Sequence, residues 1–224
     1  MKHRAFTLLA LLAANRRLGE PAVGRTILVK QTYLLETLRP LYGVWTRTFS
    51  FVRYFYGPYS EEIFHQLDTL IFSGLVEVTS AEFQKGRTGA RYRITEAGGR
   101  VLARFDHEQI VQLAHDLVWG LQSLGIEQAT TLCKLVYQEA EFARIFAEHN
   151  AGGIGAETKV KLPVVTAAAN ETFRTLSIFR ACLQIPSDKT TSPLQLPPRE
   201  LVRIYLQSLA CQVRRTASPR SAAA

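Results

Sequence analysis

RYFYGPYSEEIFHQL, residues 53–67, constrains the fold more tightly than any other stretch of the chain. An aromatic run, Tyr54-Phe55-Tyr56, meets Gly57-Pro58, and Ser60-Glu61-Glu62 follows ahead of an apolar helical pattern. Gly57 supplies backbone freedom, while Pro58 fixes φ and lacks an N–H, so the strand is expected to end there. Ser60 has the side-chain oxygen of a good N-cap, and Glu61 and Glu62 stand where the positive end of a helix favours them. Tyr56 and Tyr59 offer amphipathic packing area around the turn. Tyr56, Gly57, Pro58, Tyr59 and Ser60 are therefore expected to form a structural motif. Residues 60–73 then predict a helix, with Ile63, Phe64, Leu67, Leu70 and Ile71 on its buried face and Gly74 closing it.

The flanking segments extend the pattern. Residues 4–18 predict a first helix ending at Gly19, with Leu9 and Leu12 buried against a second helix over 26–38. Pro40 and Gly43 predict a loop, and residues 49–56 a strand. LVEV (75–78) and RYRIT (91–95) predict a hairpin whose tip carries Lys85 and Arg87. In the second strand Tyr92 and Ile94 point one way, Arg91 and Arg93 the other. Thr95 is expected to cap a fourth helix reaching residue 105. Two more helices follow, 106–124 opened by Asp106 and stopped by Gly125, and 127–148. Residues 149–169 lack periodicity, 170–184 and 199–215 predict helices, and 216–224 a disordered tail. The expected fold is mainly α with a small β-hairpin wing (α+β), a winged helix-turn-helix followed by a C-terminal helical extension. Its expected parts are the winged domain (1–105), a helical extension packed on it (106–150), a linker with C-terminal helices (151–215) and the tail.

FVRYFYGPYSEEIFHQLDTLIFSGLVEV (51–78) resembles the strand, Tyr-Gly-Pro, serine, helix and Gly-Leu core of YwgA-like winged-helix proteins and the related Panacea-type antitoxin domains. TILVKQTYLLE (26–36) resembles that family's second helix, and RYRITEAG (91–98) the wing strand and final helix start of many winged regulators. LCKLVYQEAEFARI (132–145) is similar to a Val-Tyr segment of the same group, without the proline that often follows. The resemblance spans residues 5–147 and implies a non-enzymatic regulatory or antitoxin-like module, often encoded near defence or toxin genes.

Charge divides the chain into three. Residues 1–105 hold 15 Lys/Arg against 8 Asp/Glu (+7), residues 106–150 hold 2 against 7 (−5), and residues 151–224 hold 10 against 4 (+6). Basic ends suit nucleic acid or a nucleoprotein complex. On the third helix, Glu61, Glu62, His65, Gln66 and Asp68 are expected to face solvent. Carboxylates without a Lys or Arg make a poor surface against phosphates, which dominate nucleic-acid affinity. Backbone contacts are therefore assigned to the wing, through Lys85, Arg87, Arg91 and Arg93, with Arg100 and Arg104 on the helix behind. The competing explanation for those cations is a charged edge that discourages aggregation. In a second functional reading, an antitoxin-like or defence-system adaptor binds a protein partner through Glu61, Glu62, His65, Gln66 and Asp68 and the acidic 106–150 region.

Other chemistry has little support. Cys133, Cys182 and Cys211 lack the spacing of a zinc site or a disulfide framework and read as cysteines of a reducing cytoplasm. His115-Asp116 has no partner histidines at metal-binding spacing and is expected to be a helix-surface pair. Gly152-Gly153-Ile154-Gly155 lacks the Gly-Lys-Ser/Thr of a P-loop, and no Gly-x-Ser-x-Gly occurs. No catalytic residue, cofactor or metal is therefore assigned. MKHR before AFTLLALLAA resembles a signal peptide, but leucine precedes the candidate cleavage site, so the segment is expected to stay in the fold. No apolar run reaches the length of a membrane span. A homo-oligomer is compatible with all of this.

Overall fold

Leucine and alanine occupy most faces of the first helix, which suits it to the interior. The computed structural model describes residues 2–44, 46–54, 57–83, 87–104, 108–138 and 196–217. In it α1 (Lys2–Arg17) has Phe6, Leu8, Leu9, Leu11 and Leu12 all buried. The chain continues through β1 (Val23–Gly24), α2 (Arg25–Leu38), a 3-10 turn (Arg39–Tyr42), β2 (Val52–Tyr54) and β3 (Gly57–Tyr59). Then come α3 (Glu61–Phe72), β4 (Val76–Phe83), β5 (Arg87–Ile94), α4 (Glu96–Arg104), α5 (Glu108–Ser123), α6 (Ala129–Tyr137) and a final helix, here α7 (Pro198–Ala217). The fold is thus mainly α with a small antiparallel β component. One apolar core runs from Phe6 in α1 to Leu209 in α7. Expectations for residues 139–195 and 218–224 lie outside the described residues.

Leu9 and Leu12 are buried as expected, but the broadest neighbour of α1 is α5 and not α2. The stripe on α5 (Leu113, Ala114, Leu117, Val118, Leu121) covers α1 on one side, while α3, α4 and β5 meet its other faces. Thr95 caps α4 as expected: Gly98 N donates to Thr95 Oγ1 at 3.0 Å. Gly98 also lets α4 approach the turn at Leu75, since a Cβ there would collide with the Leu75 carbonyl and lie 2.9 Å from Ile94 Cγ1.

The sheet departs from expectation in two ways. Its strand order is β1-β5-β4, all antiparallel, with Val23 opposite Tyr92 and Val76 opposite Ile94. β1 has only two residues, too few to show a period. The hairpin strands are also longer than 75–78 and 91–95, because most of the looser connection joins the ladder as far as Phe83 opposite Arg87.

The Gly-Pro junction needs a larger correction. The chain does not stop pairing at Gly57-Pro58: residues 57–59 form β3, antiparallel to β2, with Arg53 opposite Pro58 and Tyr54 opposite Gly57. Gly57 has φ +93°, so it supplies the left-handed turn that reverses the chain. Pro58 is tolerated because it lies in a two-stranded ribbon, where only one side of each strand is paired. Its carbonyl accepts a 2.7 Å bond from the buried Lys30 Nζ. Ser60 does occupy the N-cap position of α3, with extended φ −136° and ψ 121°, but its side chain makes no capping bond. Its Oγ is buried without a hydrogen-bond partner.

A buried ion pair secures the segment leading into β2. Arg39 and Glu36, 2% and 1% exposed, meet at 3.1 Å. Glu36 accepts from Thr48 N at 2.9 Å and Thr48 Oγ1 at 2.5 Å, and Arg39 donates to Thr46 O at 2.9 Å and Thr7 Oγ1 at 2.6 Å. Burial pushes the Glu36 carboxyl above its ordinary range, against the pull of Arg39 and Thr48. Such a pair contributes modestly when intact and costs several kcal/mol when one partner is removed, on the order of 3–5.

Candidate nucleic-acid interface

The alternation expected in RYRIT is present. Tyr92 and Ile94 are buried under β5, while Arg93 is exposed and Arg91 half-buried on the other face. The two arginines differ in their engagements. Arg91 donates from Nε to Ala22 O at 2.9 Å and from Nη2 to the same carbonyl, and pairs with Glu20 at 3.1 Å. It ties β5 to the segment before β1 and is a bracing residue in this arrangement. Arg93 pairs across the ladder with Glu77 at 2.7 Å, both side chains more than two-fifths exposed. Its guanidinium lowers the pKa of the Glu77 carboxyl, mainly through that hydrogen bond.

Arg100 and Arg104 share a face of α4 one turn apart. Both are exposed, and Arg100 makes only a distant 3.9 Å approach to Glu96. Lys85 lies outside the described residues, and for Arg87 only the backbone in β5 is described. One cation missed in the sequence is Arg16. Its Nη1 reaches Ile94 O at 3.5 Å, and its field acts on Glu77, which places a second cation beside the Arg93–Glu77 pair. The available signal was the basic pair Arg16-Arg17 in the last turn of α1.

The face of α3 is less acidic than expected. Glu61, His65 and Asp68 are exposed, but Gln66 is buried, because it falls on the same stripe as Ile63, Leu67 and Leu70. Glu62 is only half-exposed and is held on both oxygens, by Arg4 Nη2 at 2.6 Å and Ser50 N at 2.9 Å. It ties α3 to α1 and to the loop before β2. Arg25, at the start of α2, lies over the Phe64 ring at 3.8 Å and brings a cation beside this helix. Phe72, at the end of α3, is 95% exposed.

His115-Asp116 is not a surface pair. Asp116 is 1% exposed and accepts from Tyr42 Oη at 2.6 Å and from Gln112 Nε2 at 2.9 Å. Arg199 Nε comes to 3.9 Å while its guanidinium stacks 3.8 Å over Trp119. The cluster docks the start of α7 onto α5, and Tyr42 is pushed to a higher pKa by burial and by its bond to Asp116. Among the described residues, no group of three His, Cys, Asp or Glu could hold a metal ion. No described helix is long and apolar enough to cross a membrane.

No family model matches the chain, and no curated protein matches it.

Proposed function

We propose that the protein is a non-enzymatic winged-helix nucleic-acid-binding regulator or subunit, with β4 and β5 as its wing and α3 as the helix beside it. The observation that carries this proposal is the open face of the sheet, where Arg93 is exposed and Arg16 stands beside it. Glu77 occupies the position that a phosphate oxygen would take against Arg93. An exposed ion pair is weak and easily exchanged, so a phosphate can displace it. Arg100 and Arg104 extend the positive field along α4, and the loss of Glu62 from the solvent face of α3 lowers the repulsion there. The succession of α1, α2 and α3 followed by the β4–β5 hairpin and α4 supports the winged helix-turn-helix reading. The resemblance of residues 5–147 to YwgA-like and Panacea-type domains supports a non-enzymatic regulatory or antitoxin-like role.

The test is an equilibrium titration of duplex DNA at two salt concentrations. Binding should weaken with salt for any sequence, and Arg100→Glu with Arg104→Glu should reduce the log–log salt slope by at most about two units. Salt-independent or undetectable binding overturns the proposal.

One observation favours the adaptor alternative. Phe72 projects into solvent at the end of α3, and Val78 on β4 is 48% exposed. An apolar tip with Asp68 one turn away on α3 suits a protein partner as much as it suits DNA. Stable co-purification of a partner that Phe72→Ser abolishes, with no DNA binding, would decide for the adaptor.

A further inference from the structure

A cleft of about 210 Å³ opens between the end of α1, β1, the first turn of α2 and the segment joining α5 to α6. It is lined in part by Asn15 and Gln31, 3% and 4% exposed, which form a reciprocal amide pair. Asn15 Nδ2 donates to Gln31 Oε1 at 2.9 Å, and Gln31 Nε2 donates to Asn15 Oδ1 at 3.1 Å. Asn15 Nδ2 gives its second hydrogen to Leu11 O at 2.7 Å. A glutamine amide has two N–H donors and an oxygen with two lone pairs. The pair uses one donor and one acceptor of Gln31, and nothing else among the described residues takes the others. Each polar atom of Gln31 therefore has one partner, and a second N–H and a second lone pair remain for a ligand.

The surroundings restrict what can complete those bonds. Val23, Ile27, Val118 and Leu121 supply an aliphatic wall, and Gln122 and Gln128 add further amides to the lining. Glu20 and Glu127 also line the cleft, and its one arginine, Arg91, is already held by Glu20 and Ala22 O. That balance disfavours a phosphate or carboxylate. The volume is below the roughly 300–1,000 Å³ of pockets for drug-sized molecules, so the occupant is small. A cleft with an aliphatic wall and amide groups beside it fits the amide edge of a flat, neutral heterocycle. We propose that this cleft is a binding site for a nucleobase-bearing small molecule, a free base or nucleoside, read by Gln31. The site goes beyond the nucleic-acid proposal and does not depend on it.

The test is calorimetric titration of the full chain with adenosine, guanosine, cytidine and uridine, with inorganic phosphate and putrescine as charge controls. At least one nucleoside should bind with a Kd below about 1 mM, and neither control should. Gln31→Met removes the amide edge at similar size and should weaken binding roughly tenfold, the worth of about one net hydrogen bond. Ile27→Phe narrows the slot without touching the amide pair and should also weaken binding, which decides the matter should Gln31→Met not fold. Salt-dependent DNA binding by folded variants should be unchanged, so failure of either proposal leaves the other standing. Failure of all four nucleosides to bind, or wild-type affinity in a folded Ile27→Phe or Gln31→Met protein, overturns the inference.

Discussion

Ser60 shows how a correct position can carry an incorrect energy. It stands at the N-cap of α3, yet its Oγ is buried and unbonded. A capping serine is typically worth about 0.5–2 kcal/mol. Removing an unsatisfied buried hydroxyl is close to neutral or mildly stabilising. Ser60→Ala should therefore leave the urea midpoint within about 0.5 kcal/mol of wild type or raise it, and a clear loss would restore the cap. Lys30 is a buried charge that a helix stripe hides. Burial lowers its amine pKa from 10.5 to about 8, the field of Cys133 acting in the opposite sense. Between those values the unfolded chain binds more protons than the folded one, so this contribution to stability rises with pH and is lost as pH falls through about 8. The stability difference between wild type and Lys30→Met should therefore shift in favour of wild type from pH 8 to 10.5, by on the order of 3 kcal/mol. Denaturation midpoints for both proteins across that range check the sign and the window.

At the scale of elements, α4 is placed by a glycine. Its first turn lies against Leu75 because Gly98 has no side chain, and the same residue's N–H completes the Thr95 cap. The obstacle to a Cβ is a backbone carbonyl and not the flexible end of a side chain, so relief requires moving α4 or the Leu75 turn. Gly98→Ala should cost about 1–3 kcal/mol despite the better helix propensity of alanine, since overpacking a fixed contact outweighs it. Gly99→Ala, where a Cβ meets nothing within 4 Å, is the matched control and should be neutral or stabilising. Equal midpoints for the two variants would show that α4 lies further out.

For the whole molecule, the distribution of charge matters more than its sum. Glu77 stands between Arg93 and the field of Arg16 and offsets part of the positive face that the nucleic-acid proposal needs. Glu77→Gln should therefore tighten duplex DNA binding and steepen its salt dependence, by up to about one unit of slope. Glu62→Gln should tighten it less, because that carboxylate pairs with Arg4 and Ser50 N and not with an arginine of the wing. Titrations at two salt concentrations separate the two. Weaker binding by Glu77→Gln would mean that the ion pair shapes the wing and that Arg93 does not meet phosphate.

What could be determined from the sequence was local. The bounds of α2, α3 and α4, the Thr95 cap and the two faces of β5 depend on period, turn chemistry and caps, which act over a few neighbouring residues. Four things were decided only in three dimensions. β1 is too short to show a period, and its identity as a strand comes from Tyr92 and Arg91 across the sheet. Gly57-Pro58 read as a stop because proline lacks a donor, yet a two-stranded ribbon does not ask for that donor. Glu62 left the solvent face of α3 because Arg4, 58 positions away, reaches it. Asp116 became a buried anchor because Tyr42 and Arg199 converge on it from distant segments. Whether a charged side chain is a free surface group or a brace depends on which partner folding brings within about 3–4 Å, and no pattern of neighbours along the chain encodes that distance.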